Sequence, residues 1–79
     1  MKKATYKCYI HCNGGWDREY DVDTKSALKC AEMYGRCDGG EVVTVATKSG
    51  RILSRVRWTP EDGGRYYREY ITPGEKLDF

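Results

Sequence analysis

The stretch that decides the fold runs from residue 6 to residue 22 and reads YKCYIHCNGGWDREYDV. Its even positions are mostly apolar or aromatic and its odd positions are mostly polar or charged, a period of two that is typical of half-buried β-strands. Asn13-Gly14-Gly15 interrupts the alternation, and a three-residue loop with Gly15 in the left-handed region would reverse the chain there. We therefore expect a β-hairpin over residues 5–23.

A three-residue loop keeps the apolar and charged faces of this hairpin apart. On the charged face it places Lys7 opposite Asp21 and His11 opposite Asp17, which are favourable cross-strand pairs. On the apolar face it pairs Tyr6 with Val22, Cys8 with Tyr20, Ile10 with Arg18 and Cys12 with Trp16. Burial and charge therefore predict the same register.

A short helix is predicted after the hairpin. Apolar residues recur at the i, i+3, i+4 and i+7 spacing of one helix face, at Ala27, Cys30, Ala31 and Tyr34. The opposite side carries Lys25, Lys29, Glu32 and Arg36. Asp23 or Thr24 is the expected N-cap and Gly35 the expected residue after the helix, which gives an amphipathic helix of about three turns.

Residues 41–71 read as a three-stranded meander with turns at residues 48–50 and 59–64, followed by a polar tail at residues 72–79. A three-residue first turn pairs Ala46 with Ile52, Thr44 with Ser54, Val42 with Val56, Val45 with Leu53 and Glu41 with Arg57. The element order is then ββαβββ. It predicts an α+β fold, a two-layer sandwich in which one helix covers one face of an antiparallel sheet of about five strands. The other face would meet water or a partner.

Length and charge limit the classes of protein to which the chain can belong. It has 79 residues and a formal net charge of +2, which fits one domain over residues 1–79. A chain of this size buries only about 60% of its unfolded surface, so we expect a thin core, and a homodimer would bury more. The sequence contains no run of 18 apolar residues, so we predict no membrane-spanning helix. The basic N-terminus lacks an apolar segment of signal-peptide type, so we expect a cytoplasmic protein.

The four cysteines are Cys8, Cys12, Cys30 and Cys37. In a reducing compartment we expect free thiols, with a disulfide such as Cys30–Cys37 and a zinc site as alternatives. The spacings of 3, 17 and 6 intervening residues match no zinc knuckle or ribbon. We therefore expect no metal and no cofactor.

No catalytic constellation is predicted, so we expect the protein not to be an enzyme. His11 is the only histidine, and on a strand it points away from Cys8 and Cys12, which argues against a Cys–His nucleophile. The glycine pairs lie in predicted turns, not in a phosphate-binding loop.

The candidate partner-binding face is basic and aromatic. Arg51, Arg55 and Arg57 alternate with Ile52, Val56 and Trp58, so three arginines and Leu53 would project from the face that the helix leaves open. The next strand adds further arginines and tyrosines, and the full candidate set is Arg51, Arg55, Arg57, Arg65, Arg68, Tyr66 and Tyr70. Such a set suits an acidic protein surface or a nucleic acid. A merely solvated face is the plainer interpretation.

An acidic run provides an alternative face on the second strand of the hairpin. Its members are Asp17, Glu19, Asp21 and Asp23. They could mimic the phosphates of a nucleic acid for a host protein that binds one, or be a solvated face partly paired with Lys7 and His11.

Three segments carry a resemblance to a known group of proteins: Trp16-Asp17-Arg18-Glu19-Tyr20, Lys48-Ser49-Gly50-Arg51-Ile52 and Gly63-Gly64-Arg65-Tyr66-Tyr67. With them the chain resembles small uncharacterised accessory proteins of bacteriophages and prophages of Gram-positive bacteria. The resemblance implies a non-enzymatic inhibitor of a bacterial host or defence protein, anti-CRISPR proteins being one example. It implies no role for any single residue.

Overall fold

A computed structural model describes residues 5–12, 17–35 and 40–77. Its strands are β1 (Tyr6–Cys12), β2 (Asp17–Val22), β3 (Gly40–Thr47), β4 (Ile52–Thr59) and β5 (Arg65–Arg68). Its helical elements are α1 (Ala27–Cys30), a π-helical turn (Ala31–Gly35) and a 3-10 turn (Glu61–Gly63). Across these described ranges, no helix combines the length and the apolar character that a membrane crossing would need.

The five strands form one sheet in the order β2-β1-β3-β4-β5, and every neighbouring pair is antiparallel. One short helix packs against one face of this sheet. The predicted α+β class and the ββαβββ element order are therefore confirmed.

The hairpin register of β1 and β2 is confirmed wherever both partners are described. Tyr6 faces Val22 and Cys8 faces Tyr20, while Lys7 faces Asp21 and His11 faces Asp17, with Ile10 opposite Arg18. The predicted pairing of Cys12 with Trp16 and the loop between them lie outside the described residues.

The core lies between α1 and the helix-side face of the sheet, and it is thin. Its fully buried members are small, and the largest are Ile10, Val43, Val45, Val56, Cys8 and Cys30. Partly buried rings extend it at the margin: Tyr34 stacks on Tyr20 with ring centroids 4.2 Å apart. Each buried aliphatic side chain of this kind contributes about 1.5 to 3 kcal/mol relative to exposure.

The helix begins later than predicted. Its N-cap is Ser26, whose Oγ accepts a hydrogen bond from the backbone N–H of Lys29 at 3.2 Å, so the prediction of Asp23 or Thr24 was wrong. Thr24 lies two residues before this N-cap, and its Oγ1 accepts a hydrogen bond from the N–H of Ser26 at 3.1 Å. Ser54 on β4 fixes the start from outside: its Oγ accepts the N–H of Ala27 at 2.8 Å and donates to the carbonyl of Lys25. Beyond Cys30 the helix widens into the π-helical turn.

The predicted β3–β4 register holds only beside the turn. Ala46 faces Ile52 as expected, but beyond it Val45 faces Ser54, because the register shifts there. The other pairs are Thr44 with Arg55, Val43 with Val56 and Val42 with Arg57. The predicted pairs Thr44–Ser54, Val42–Val56, Val45–Leu53 and Glu41–Arg57 were therefore wrong.

Burial explains this shift. Without it, Val43 and Val45 would share a face with Arg55 and Arg57, whereas the bulge brings both valines beside Val56 under the helix. Leu53 is the extra residue; it packs against the core and not on the arginine face as predicted. Ile52 consequently joins Ala46 on the side of the sheet away from the helix.

The C-terminal segment, residues 72–77, lies along the sheet, whereas the sequence left open whether the polar tail frays or packs by its terminal apolar pair. A turn closes where the N–H of Glu75 donates to the carbonyl of Thr72 at 2.9 Å. The chain then pairs with the start of β4, since Ile52 N–H donates to Glu75 O at 2.9 Å and Leu77 N–H to Gly50 O at 2.8 Å. Phe79, the other member of the terminal apolar pair, lies outside the described residues.

Candidate partner-binding face

We call the side of the sheet that faces away from α1 the open face. The strand registers place on it Asp17, Glu19 and Asp21 of β2, Lys7, Tyr9 and His11 of β1, Val42, Thr44 and Ala46 of β3, Ile52, Arg55 and Arg57 of β4, and Arg65 and Tyr67 of β5. Its acidic side is thus at the β2 edge and its basic side at β4 and β5. Neutral residues separate the two, and among them Thr44, Ala46 and Ile52 are buried.

Two arginines and two glutamates on the basic side form what we call the arginine network: Arg55, Arg57, Glu69 and Glu75. One oxygen of Glu69 accepts from Arg55 Nε at 3.0 Å and the other accepts from Arg57 Nε at 3.2 Å. Arg55 Nη1 also donates to Glu75 Oε2 at 3.1 Å. The network therefore ties β4 to the chain after β5 and to the C-terminal segment.

The ionisation of the network follows from these contacts. Partial burial opposes the charged form of Glu69, but the hydrogen bonds and positive charges of Arg57 and Arg55 outweigh it, so the pKa of Glu69 lies below its usual value. The hydrogen bond to Glu69 raises the pKa of Arg57 above its usual value. Both groups are accordingly charged at neutral pH, and the pair is maintained.

Arg57 and Tyr67 lie opposite each other at the exposed end of this network. They are direct cross-strand partners, and the Arg57 side chain is 42% exposed, as is Tyr67. Arg57 uses its Nε for Glu69, and no described residue accepts a hydrogen bond from its terminal Nη1 or Nη2. Those two nitrogens therefore remain available as hydrogen-bond donors on a partly exposed side chain.

The structure divides the predicted basic set between the two sides of the sheet. Arg55, Arg57 and Arg65 occupy the open face, but Arg68 faces Val56 on the helix side. Tyr66 is also on the helix side, where its ring meets the edge of Trp58 at a centroid distance of 5.1 Å. Arg51 is exposed beside Lys76 at the start of β4, and Tyr70 is 80% exposed beyond β5.

Sequence reasoning missed three members of this site: Tyr67, Glu69 and Glu75. The signal for Tyr67 was present, because pairing Trp58 with Tyr66 would have placed Tyr67 opposite Arg57. Glu69 then follows on the same face two residues later. Glu75 fell within the expected polar tail, so no periodic pattern pointed to it.

The acidic side carries the two predicted ion pairs, Lys7 with Asp21 and His11 with Asp17, and a diagonal pair of Lys7 with Glu19 that was not predicted. Lys7 Nζ lies 2.6 Å from Glu19 Oε1 and 3.3 Å from Asp21 Oδ1, and these hydrogen bonds raise the pKa of Lys7. His11 Nδ1 lies 3.0 Å from Asp17 Oδ1. The three carboxylate side chains stay 52% to 66% exposed, and Asp23 is exposed just after β2.

Cys8 and Cys30 are buried free thiols that meet in the core. The hydrogen bond between them and their burial both raise the pKa of Cys8. The Cys12 side chain and Cys37 lie outside the described residues, and so does the Cys30–Cys37 alternative. Within the described part of the chain, no group of three or more His, Cys, Asp or Glu residues could hold a metal ion.

Comparisons of the chain with protein-family models, curated proteins and solved structures found no match. Its function therefore has to be inferred from the charges, rings and clefts of its own surface. The most organised of these features is the arginine network with Tyr67 beside it.

Proposed function

We propose that this chain is a small non-enzymatic binding protein that contacts an acidic protein surface through its open face. The observation that carries the proposal is the pairing of Arg57 with Tyr67, two partly exposed side chains that lie directly opposite each other on β4 and β5. Arginine and tyrosine are enriched at protein interfaces and among their binding hot spots. Tyrosine in particular combines a large contact area with few freely rotating bonds, so little conformational entropy is lost when it binds.

The chemistry of Arg57 favours a carboxylate-bearing partner. Its Nε is already bonded to Glu69, so the guanidinium is held before any partner arrives and less side-chain entropy is lost on binding. The two terminal nitrogens can then take a carboxylate in a bidentate manner. Arg55 is a supporting residue in this proposal, because both its bonds go to glutamates of the same chain.

The acidic β2 edge contributes orientation. It lies on the same face as the arginines but at the opposite end of the sheet, so the open face has a negative and a positive side. A partner with the complementary arrangement would be steered into one register and repelled in the reverse one.

The resemblance to phage accessory proteins supports a specific kind of partner. We propose a cytoplasmic bacterial host or defence protein, such as a CRISPR effector, that this chain inhibits by occupying its acidic surface. A second candidate function is the acidic decoy, in which Asp17, Glu19 and Asp21 replace phosphates for a nucleic-acid-binding protein. The high exposure of these three carboxylates favours that second candidate.

Capture from a bacterial lysate tests the proposal with matched variants. Arg57→Gln removes one positive charge from the open face, and Lys29→Gln removes one from the exposed side of α1. We expect Arg57→Gln to lose the captured protein and Lys29→Gln to keep it. Equal capture by both variants would contradict the proposed face.

Two further arms of this capture separate the alternatives. Nuclease treatment of the lysate should leave capture unchanged, whereas a nucleic-acid-binding module would lose its target. The triple variant Asp17→Asn, Glu19→Gln, Asp21→Asn should reduce capture less than Arg57→Gln does. The reverse order would support the acidic decoy instead.

A further inference from the structure

A cleft of about 310 Å³ lies on the open face between the arginine network and the C-terminal segment. Val42, Ile52 and Leu77 line it with hydrocarbon, while Arg57 and Lys76 line it with positive charge. Its volume is at the lower end of the range for small-ligand sites. The space therefore suits one side chain or one small molecule.

The hydrogen-bond arrangement of the cleft favours an acceptor over a donor. Both oxygens of Glu75 already accept, one from Arg55 Nη1 at 3.1 Å and the other from the N–H of Thr72 at 3.2 Å. Both oxygens of Glu69 also accept, each from an arginine Nε. Arg57 Nη1 and Nη2 and the ammonium of Lys76 have no acceptor among the described residues. His11 and Thr44 also line the cleft, but the charged groups there that remain unused are cationic donors.

The charge of the cleft fits a monoanion. Three cations, Arg55, Arg57 and Lys76, are offset by Glu75 in the cleft and by Glu69, which pairs with both arginines, and this leaves one positive charge. The more distant charge of Glu41 reduces the positive potential at Arg57 further. A dianionic phosphate would exceed this surplus and gain nothing from the apolar wall. A carboxylate on a short hydrocarbon group matches both the charge and the wall.

We infer that the cleft binds a carboxylate carried on a short apolar group, with the carboxylate on Arg57 and Lys76 and the hydrocarbon against Ile52 and Leu77. This inference rests on the proposed function, since it names the group that the partner would insert. The group is the side chain of an acidic residue that stands beside an apolar one on the partner's acidic surface. Fork-like pairing of an arginine with a carboxylate provides the specificity.

Titration of the full chain with 4-methylpentanoate, followed by the backbone amide signals in NMR spectra, tests the cleft directly. We expect saturable shifts at Ile52, Arg57 and Leu77 with a dissociation constant on the order of 1 mM, as suits a ligand of this size. The neutral 4-methylpentanamide should produce none of these shifts. Arg57→Gln should weaken binding about fivefold or more, and Lys29→Gln should leave it unchanged.

Three outcomes would overturn the inference: equal shifts from the neutral amide, tighter binding of inorganic phosphate, or shifts confined to residues outside the cleft. The titration also separates this inference from the proposed function. If 4-methylpentanoate does not bind while lysate capture still depends on Arg57, the cleft assignment fails and the proposed interface stands. If it binds while capture is indifferent to Arg57, the cleft is a site for a free organic acid, and its assignment to a partner protein fails.

Discussion

Arg55 and Glu69 are joined twice, once through the backbone and once through their side chains. The N–H of Glu69 donates to the carbonyl of Arg55 at 2.9 Å, and Arg55 Nε donates to the Glu69 carboxylate at 3.0 Å. The side-chain ion pair is therefore positioned by a strand-like backbone contact and does not depend on two freely moving side chains. The other carboxylate oxygen of Glu69 accepts a hydrogen bond from Arg57 Nε, so the same glutamate also positions Arg57.

The first prediction concerns the pH dependence of this pair. The pKa of Glu69 is lowered from 4.5 in the folded protein, so the pair stabilises the fold fully above pH 4.5 and loses its contribution as the pH falls through the lower folded pKa. We expect Glu69→Gln to reduce the free energy of unfolding by about 1 to 2 kcal/mol at pH 7 and by progressively less below pH 4.5. Urea unfolding between pH 3 and pH 7 measures this loss of unfolding free energy, and Glu61→Gln, at an exposed position, is the control. A Glu69→Gln deficit that stays constant down to pH 3 would be inconsistent with the pair.

The second prediction concerns the contact between β4 and the start of the helix. Ser54→Ala removes the acceptor of the Ala27 N–H and the donor to the Lys25 carbonyl. Leaving the partly buried Ala27 N–H unpaired and removing the bond to the exposed Lys25 carbonyl should together cost about 1 to 2 kcal/mol of unfolding free energy. Ser49→Ala, in the exposed β3–β4 turn, should change it by less than about 0.5 kcal/mol. Equal effects of the two substitutions would argue against the role given to Ser54.

The third prediction compares two neighbouring glycines with nearly the same backbone angle. Gly63 has φ +84° and Gly64 has φ +88°, but a Cβ at Gly64 would lie 2.6 Å from Trp58 Cζ2, whereas one at Gly63 meets nothing within 4 Å. Both alanine variants carry the strain of a positive φ, so their difference isolates the clash with the indole. Gly64→Ala should therefore be less stable than Gly63→Ala by at least about 1 kcal/mol in thermal unfolding. The opposite order would show that Trp58 does not pack against Gly64.

The fourth prediction concerns the two core thiols. Cys8 and Cys30 are both 0% exposed, so the reagent cannot reach either thiol, and the raised pKa of Cys8 also keeps the thiolate of that residue scarce. Iodoacetamide should leave both unmodified in the native protein and label both in guanidinium chloride, as peptide mass spectrometry can show. Rapid labelling of either thiol under native conditions would contradict the burial of both in the core under α1.

The sequence was sufficient for the hairpin and for the class of the fold. In β1 and β2 the burial of Cys8 and Ile10 and the charges of Lys7 and Asp21 favour one register, so local patterning decided it. The start of the helix was missed because Ser54, a residue far along the chain, supplies a hydrogen bond there. The bulge at Leu53 was missed because it follows from a requirement between strands, namely that Val43, Val45 and Val56 share the helix-side face.

The candidate site was predicted only in part for a similar reason. Arg55 and Arg57 alternate within one strand, so their shared face could be predicted from β4 alone. Which residues of β5 join them depends on the register of the β4–β5 pair, and that register placed Tyr67 on the open face and turned Tyr66 and Arg68 to the other side. Glu69 follows Tyr67 on the same face and depends on the same register, whereas Glu75 comes from a chain segment without any periodic pattern.

The central claim is that the open face is the binding surface. Its most direct test is the dissociation constant of the complex with the captured partner, measured by calorimetry for the unaltered chain and for Arg57→Gln. If Arg57 is the carboxylate-binding centre of the interface, its loss should weaken binding about tenfold or more, while Lys29→Gln leaves the constant unchanged. An Arg57→Gln variant that folds normally and binds with unaltered affinity would contradict the claim that the open face is the binding surface.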